Sequence, residues 1–495
     1  MNWLALIVLV LYTGALSFIF IYSISQLHLV YLYRKAKRKN LLPKKKPVRA
    51  DYDYPMVTVQ LPVYNELYVI ERLIDAVAAF DWPKDKLEIQ VLDDSNDETV
   101  QLIRLKVNAL IDQGFDIHHV QRAERIGYKA GALKYGTAIA RGEFIAIFDA
   151  DFVPTPEFLK NTIPAFENAP EIGVVQTRWG HINKDYSLLT RLQAFGLNTH
   201  FFVEQNGRSS AGHFLNFNGT AGVWRKTCIA DAGGWKADTL TEDLDLSYRA
   251  QLKGWQIYYV SETVAPAELP VAMSAIKSQQ YRWTKGAAET SKKLLPKVWR
   301  SKLPFSTKFH ATFHLLNSVI FICIVLTALL SVPVLFIRNL SSDWQVLINL
   351  SSIFLLGYIF LIIFYWNGFK EEKGGFWSTL KEFVPQIFML LSVFLGLSIH
   401  NGIAVFEGFA GRKSPFVRTP KYNVTNKTDS WKGNVYSKKK INPLSILELF
   451  MSLYFGAGLG FAFYFNDFAL LPFHILLSLG FMLVFYYTVR HSRHA

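Results

Sequence analysis

Apolar residues gather in long blocks towards the two ends of the chain and in short runs between them. Residues 3–31 are mostly apolar and carry no formal charge, and about 20 such residues make a helix that spans the hydrocarbon core of a bilayer. The positive charges follow this block: Arg34, Lys35, Lys37, Arg38, Lys39, Lys44, Lys45, Lys46 and Arg49. A cleaved signal peptide carries its basic residues in front and has a shorter apolar core. Residues 1–33 therefore read as a retained transmembrane helix with its N-terminus outside, because Lys and Arg collect on the cytoplasmic side. From 51 to 300 the pattern changes. Short β-rich runs at Met56–Leu61, Leu87–Leu92, Ile117–Val120, Phe144–Phe148 and Gly173–Gln176 alternate with helix-like stretches such as Leu67–Phe80, Glu98–Gln113 and Lys129–Ala140. That alternation predicts an α/β layered sheet, in which ligands sit at the carboxyl ends of strands. Apolar blocks then return at Phe309–Ile337, Val346–Trp366, Phe383–Phe406, Ile446–Phe465 and Phe468–Val489, interrupted by the charged loop Lys370–Glu382 and the basic stretch Gly411–Asn442.

Composition narrows the picture. The chain has 495 residues, 51% hydrophobic and 19% charged, which excludes a disordered chain and a single small domain. With the apolar residues in blocks, it also argues against a wholly soluble protein. Lys and Arg total 53 against 39 Asp and Glu, a net charge of +14. The basic run after the first helix is explained by its place beside a span, so no nucleic-acid partner is expected. Two cysteines, Cys228 and Cys323, exclude a disulfide framework and any multi-cysteine metal centre.

The candidate chemistry lies in the middle domain. Asp93-Asp94-Ser95 follows one predicted strand, Asp149-Ala150-Asp151 follows another, and Thr241-Glu242-Asp243 precedes a helix-like segment. A lone aspartate at a strand end is usually a turn former; three acidic motifs in one domain point further. Asp-x-Asp can hold a hard divalent cation that keeps positions open for phosphate oxygens. Neither a phosphate-binding P-loop nor a dinucleotide-binding glycine fingerprint is present. A bound nucleotide would therefore depend on carboxylates, metal and a few basic groups, Lys129 among them. In Gln279-Gln280-Tyr281-Arg282-Trp283, an arginine able to clamp a diphosphate bidentately stands beside a flat indole. The same cluster could be an interfacial aromatic with a snorkelling arginine.

In that order, Asp94, Asp149-Ala150-Asp151, Thr241-Glu242-Asp243 and Gln279-x-x-Arg282-Trp283 resemble the signature of processive family 2 glycosyltransferases. The likeness is nearest to the cellulose synthase-like A group, the β-mannan synthases and their bacterial relatives. Gln60-Leu61-Pro62-Val63-Tyr64-Asn65-Glu66, Asn216-Phe217-Asn218-Gly219-Thr220-Ala221-Gly222 and Leu240-Thr241-Glu242-Asp243-Leu244-Asp245-Leu246 strengthen it. The resemblance implies an α/β GT-A catalytic domain over 51–300 with an α-helical transmembrane region around it. Tyr64 and Glu66 would contact base and ribose, Asp94 would read the base, and Lys129 would touch the diphosphate. Asp149 and Asp151 would bind Mg²⁺ or Mn²⁺, Asp243 would be the catalytic base beside Glu242 on the acceptor side, and Gln279, Arg282 and Trp283 would hold the diphosphate and the acceptor terminus. The partners implied are a UDP- or GDP-hexose, a polysaccharide acceptor and membrane lipid. The function implied is inverting transfer of sugars to a growing β-glycan that crosses the plasma (inner) membrane, with the catalytic domain cytoplasmic. A single-transfer enzyme of the ceramide type is the alternative, since it shares much of the pattern.

Related cellulose synthases carry a gating segment of the form Phe-x-Val-Thr-Pro-Lys. This chain has Phe416-Val417-Arg418-Thr419-Pro420-Lys421, with Arg418 in place of valine, within an expected cytoplasmic gating-type loop over 407–442. Residues 309–367 and 446–489 read as transmembrane hairpins. Phe383–Phe406 is apolar enough to span, yet spanning would put Arg412, Lys413, Arg418, Lys421, Lys438, Lys439 and Lys440 outside, against the positive-inside tendency. Residues 383–406 are therefore expected as an interfacial helix, with Pro385, His400 and Asn401 shielded by protein.

Overall fold

The computed structural model describes residues 3–341, 343–436 and 443–493; Lys438, Lys439 and Lys440 lie outside the described residues. A seven-stranded mixed sheet in the order β3-β2-β1-β4-β6-β5-β7 forms the centre of the domain between the apolar blocks. Its strands are β1 Val57–Val63, β2 Leu87–Asp93, β3 Asp116–Gln121, β4 Phe144–Ile147, β5 Ile172–His181, β6 Gly222–Arg225 and β7 Gln256–Ala267. β1 runs parallel to β2 and β4, while β6 is antiparallel to both its neighbours. Helices cover both faces of the central strands, so even their polar residues are buried, Thr58 donating to Glu88 and Gln60 to Gln90 across β1 and β2. Val57, Val59, Leu61 and Val63 pack on the helix Ile70–Ala78 through Leu73 and Val77. On the other face Leu92, Ile145 and Ile147 pack with Leu133 of the helix Tyr128–Ile139.

The five predicted runs coincide with β1 to β5. β5 continues past Gln176 to His181 because its outer half pairs with β7, and the four-residue β6 and β7, whose middle is Ser261-Glu262-Thr263, are absent from the predicted set. The two acidic motifs that follow predicted strands flank β1 from either side, on β2 and after β4.

Six helices among the described residues are long and apolar enough to cross a membrane: Trp3–Arg38, Val319–Leu340, Gln345–Glu372, Phe376–Gly396, Pro443–Tyr464 and Leu471–Ser492. Three expectations need correction. The block at 309–337 is two helices, Phe305–Leu315 and Val319–Leu340. The first belongs beside the catalytic domain, since His314 Nδ1 lies 2.8 Å from the Tyr248 hydroxyl. The segment 383–406 is also two helices, Phe376–Gly396 and Ser398–Ala410, so the loop expected from 407 starts at Gly411. That loop is not free. Tyr422, Val424 and Trp431 are buried against Val271, Ala272 and Ala275.

Candidate functional site

The strand register builds the site. Val63 pairs with Asp93 across β1 and β2, and Gln60 pairs with Ile147 across β1 and β4. Tyr64 and Glu66, Asp94, and Asp149 and Asp151 therefore leave neighbouring strand ends together. They line one cavity with Lys129, Glu242, Asp243, Gln279, Arg282 and Trp283. Each site residue that the resemblance implied thus lines the same cavity.

Lys129, in the first turn of Tyr128–Ile139, sets its Nζ 2.5 Å from Asp149 Oδ1 and 2.9 Å from the Gly219 carbonyl. Gly219 has a φ of +80°, and a Cβ there would stand 3.2 Å from Asp243 Oδ2, so backbone approaches the two charged groups where a side chain would crowd them. Asp243 sits in the first turn of the helix Glu242–Leu252, where the positive end of the helix dipole favours a carboxylate. Burial nevertheless raises its pKa, and the neighbouring Glu242 carboxylate raises it further, against the pull of Lys129. Burial opposes the charge on Lys129 as well, but Asp149 and Glu242 outweigh it and its pKa stands above the ordinary lysine value. The helix Met273–Arg300 brings in Gln279, Arg282 and Trp283. It can lie this close to the Thr241-Glu242-Asp243 turn because residue 286 is a glycine, and a Cβ at Gly286 would collide with Thr241. Arg282 Nη2 donates to Thr419 Oγ1 at 2.8 Å, and its guanidinium lies 4.6 Å from the Phe416 ring centre.

Several contributors escaped the sequence reading. Arg122 grips Asp94 with a two-pronged contact, Nε to Oδ1 at 2.9 Å and Nη2 to Oδ2. Arg125 stacks on Tyr64 with its guanidinium 3.3 Å from the ring centre. Both precede Gly127-Tyr128-Lys129 in the turn after β3. Arg418, noted only as a departure, pairs with Glu66 at 2.7 Å. Burial lifts the Glu66 pKa to about 7 even with Arg418 beside it. Lys421 Nζ donates to Asp151 Oδ2 at 2.5 Å, and Tyr422 donates its backbone N–H to the buried Glu268 at 3.0 Å.

Asp149 and Asp151 give two carboxylates of the hard-oxygen kind that Mg²⁺ and Mn²⁺ prefer. Among the described residues no group of three or more His, Cys, Asp or Glu could hold a metal alone. The donor set therefore fits such an ion only when phosphate oxygens or water complete the shell.

Residues 55–286 match the family model described as glycosyltransferase like family 2. Glucomannan 4-β-mannosyltransferase 1 of Oryza sativa subsp. japonica is 40% identical over 306 residues, 59% of this chain and 59% of that protein. This chain thus spans less than two thirds of that relative's length. Probable glucomannan 4-β-mannosyltransferase 15 of Arabidopsis thaliana is 34% identical over 418 residues, 81% of this chain and 73% of that protein. The structure of the mannosyltransferase PcManGT from Pyrobaculum calidifontis, in complex with GDP-Man and Mn²⁺, superposes with a TM-score of 0.54 at 19% identity, covering 81% of this chain and 100% of that one. Its likeness establishes the GT-A type of fold. With the family model over the catalytic domain and a relative matched over 81% of the chain, this membrane protein belongs to the family 2 glycosyltransferases.

Proposed function

We propose that the chain is a membrane-embedded, inverting β-glycan synthase that moves sugars from a nucleotide-sugar donor to a growing polymer. The observation that carries this is the convergence of Asp243, Asp149, Asp151, Lys129 and Arg282 on one cavity at the carboxyl ends of β1, β2 and β4. The names of the plant relatives make a mannosyl residue the first candidate for the sugar transferred. They also favour polymer synthesis over a single transfer to lipid.

In this reading Asp243 accepts the proton of the acceptor hydroxyl as that oxygen attacks the anomeric carbon. One base and no protein nucleophile make the reaction a single displacement, so an α-linked donor gives a β-glycoside. Arg282 and Lys129 stabilise the charge that grows on the departing nucleoside diphosphate. Mg²⁺ or Mn²⁺, held by Asp149 and Asp151, would add positive charge on the same oxygens. Tyr64, Glu66 and Asp94 hold the nucleoside, and Trp283 presents its face to the acceptor sugar. Thr419 and Phe416 fix Arg282 in its orientation. The catalytic domain faces the cytoplasm of a plasma (inner) membrane, and the polymer leaves through the bundle of helices.

Purified full-length protein in bilayer discs, given GDP-mannose, UDP-glucose or UDP-N-acetylglucosamine, tests the reading. Expected are long chains cut by a β-glycanase, with synthesis stopped by EDTA and restored by Mg²⁺ or Mn²⁺. One sugar on an organic-soluble lipid would overturn the polymerase reading, and full activity after exhaustive chelation would overturn the metal role.

A further inference from the structure

The helix Met273–Arg300 has two working faces. At about 100° per residue, Lys277, Tyr281 and Lys285 fall along one stripe, and Gln279, Arg282 and Trp283 fall on the other side. The second stripe lines the cavity. The first is tied by polar contacts to the apolar half of the molecule. Lys277 Nζ donates to Glu448 Oε1 at 2.6 Å and to Thr488 Oγ1 at 2.9 Å, which belong to Pro443–Tyr464 and Leu471–Ser492. His400 Nε2 lies 2.9 Å from the Lys277 carbonyl, and the Tyr281 hydroxyl donates to Glu407.

Glu448 is 2% exposed and sits early in one of the apolar helices. A buried ion pair gives weak support to stability. Replacing both partners by apolar residues is often neutral or stabilising, whereas removing one strands the other. An ionisable group in a membrane helix calls for a functional reason. Here the pair joins the helix that carries Arg282 and Trp283 to two helices of the membrane region. Asp243 is carried by a different helix, Glu242–Leu252. We propose that the Lys277–Glu448 pair is a positioning device that fixes the seat of the Met273–Arg300 helix on the membrane helices, and so sets Trp283, and the acceptor against it, at the distance from Asp243 that sugar transfer needs. Lys277 and Glu448 are positioning residues and touch no substrate. This role rests on the glycosyl-transfer reading above.

Loosening the seat moves Trp283 and the acceptor it holds, while Arg282 keeps its contacts to Thr419 and Phe416 and the donor site on the strand ends stays in place. Water still reaches the donor, but the acceptor hydroxyl is misaligned. The diagnostic quantity is the ratio of sugar transferred to donor hydrolysed, together with kcat against the donor KM. Full-length protein in bilayer discs carrying Lys277→Met with Glu448→Leu removes both charges and leaves neither stranded. Expected are a melting temperature no lower than wild type, an unchanged donor KM, and a fall in the transfer-to-hydrolysis ratio on the order of tenfold, as small misplacements in active sites produce. Glu448→Gln, which keeps the volume and an oxygen for Lys277 but removes the charge, should give a ratio below wild type and above that of Glu448→Leu. An unchanged ratio in the double variant overturns the role. So does a lowered melting temperature with transfer and hydrolysis falling together per folded molecule, and if the double variant does not assemble, the ratio in Glu448→Gln against wild type decides, an unchanged value overturning the role and a lowered one supporting it. A wild-type protein that turns over none of the nucleotide sugars defeats the assigned reaction and this role with it. An active wild type with an unchanged double variant defeats the positioning role alone.

Discussion

Lys421 reaches Asp151 with Nζ 2.5 Å from Oδ2, joining residues 270 positions apart. Lys129 meets the other half of the motif at Asp149, also at 2.5 Å. Each carboxylate of the Asp-x-Asp pair is thus neutralised by a lysine, one from the sheet domain and one from the segment that follows the helix Ser398–Ala410. With Arg418 on Glu66 and Thr419 on Arg282, that segment forms a wall of the cavity at the strand ends.

Asp243→Asn keeps the size of the side chain and removes its basicity. A general base contributes about 10²–10⁴ in rate, so kcat should fall by that much while binding of the nucleoside diphosphate, followed by calorimetry, stays within a few-fold of wild type. Turnover near the wild-type rate in that variant would refute the assignment.

The pH dependence follows from the same residue. The base must be ionised, and burial together with the Glu242 charge raises the Asp243 pKa above its ordinary value. A raised pKa means the ionised fraction grows only as pH climbs through that higher value, so kcat/KM should rise with pH on an acid limb above the ~3.9 of a free aspartate. Glu242→Gln removes the like charge and should move the limb to lower pH. Lys129→Met removes an opposing charge and should move it to higher pH. Limbs that coincide in all three proteins would exclude Asp243 as the titrating group.

The parts of this molecule that sequence could reveal are those where chemistry and local pattern coincide. Val57–Val63 and Leu87–Asp93 alternate apolar with polar positions, so their strand period is legible, and the acidic motif at the end of Leu87–Asp93 follows. Strand β7 is not, because residues such as Gln256, Ser261 and Glu262 break the pattern and only pairing with β5 makes it a strand. Arg122 and Arg125 were equally hidden. Nothing in a basic turn says that one arginine will grip Asp94 and the other cover Tyr64. Hydropathy merged Phe305–Leu315 with the next helix because it does not register that His310 and His314 are buried.

Two apolar helices cross with their backbones in contact. A Cβ on Gly480 would collide with the Ser392 carbonyl, and one on Gly396 with Gly480 itself. Backbone cannot move aside as a flexible side chain can, so Gly480→Ala should destabilise by about 1–3 kcal/mol, as overpacking does. Gly460→Ala, where a Cβ meets nothing within 4 Å, is the control. Thermal unfolding of the protein in bilayer discs should show a lower Tm for the first and an unchanged Tm for the second. Equal melting of both would mean that the crossing is looser than described.

The same crossing bears on whether Phe376–Gly396 traverses the bilayer, as its length and composition allow. Its first half packs on the catalytic side, with the Phe383 ring 5.9 Å from that of Phe195. His400, four residues beyond Gly396, already lies 2.9 Å from the Lys277 carbonyl of the helix that lines the active site. Four residues reach at most about 14 Å when fully extended, well short of the ~30 Å hydrocarbon core. If Gly396 were on the far side, the chain could not return in time. The loop after Ala410 is tied to the same side, since Lys421 holds Asp151 and the Trp431 ring lies 5.2 Å from His491 at the end of the last helix. These distances support a segment that enters from the side of the sheet domain and returns to it, which keeps Arg412, Lys413, Arg418 and Lys421 on one side together, as the clustering of basic residues on one membrane face asks. Ser430 is exposed on that loop. With both native cysteines buried, a Ser430→Cys variant should resist a membrane-impermeant thiol reagent in sealed cells and react once they are permeabilised. Labelling of the Ser430→Cys variant in sealed cells would show that the helix crosses after all, and would put the wall of the active site on the wrong side of the membrane from its donor.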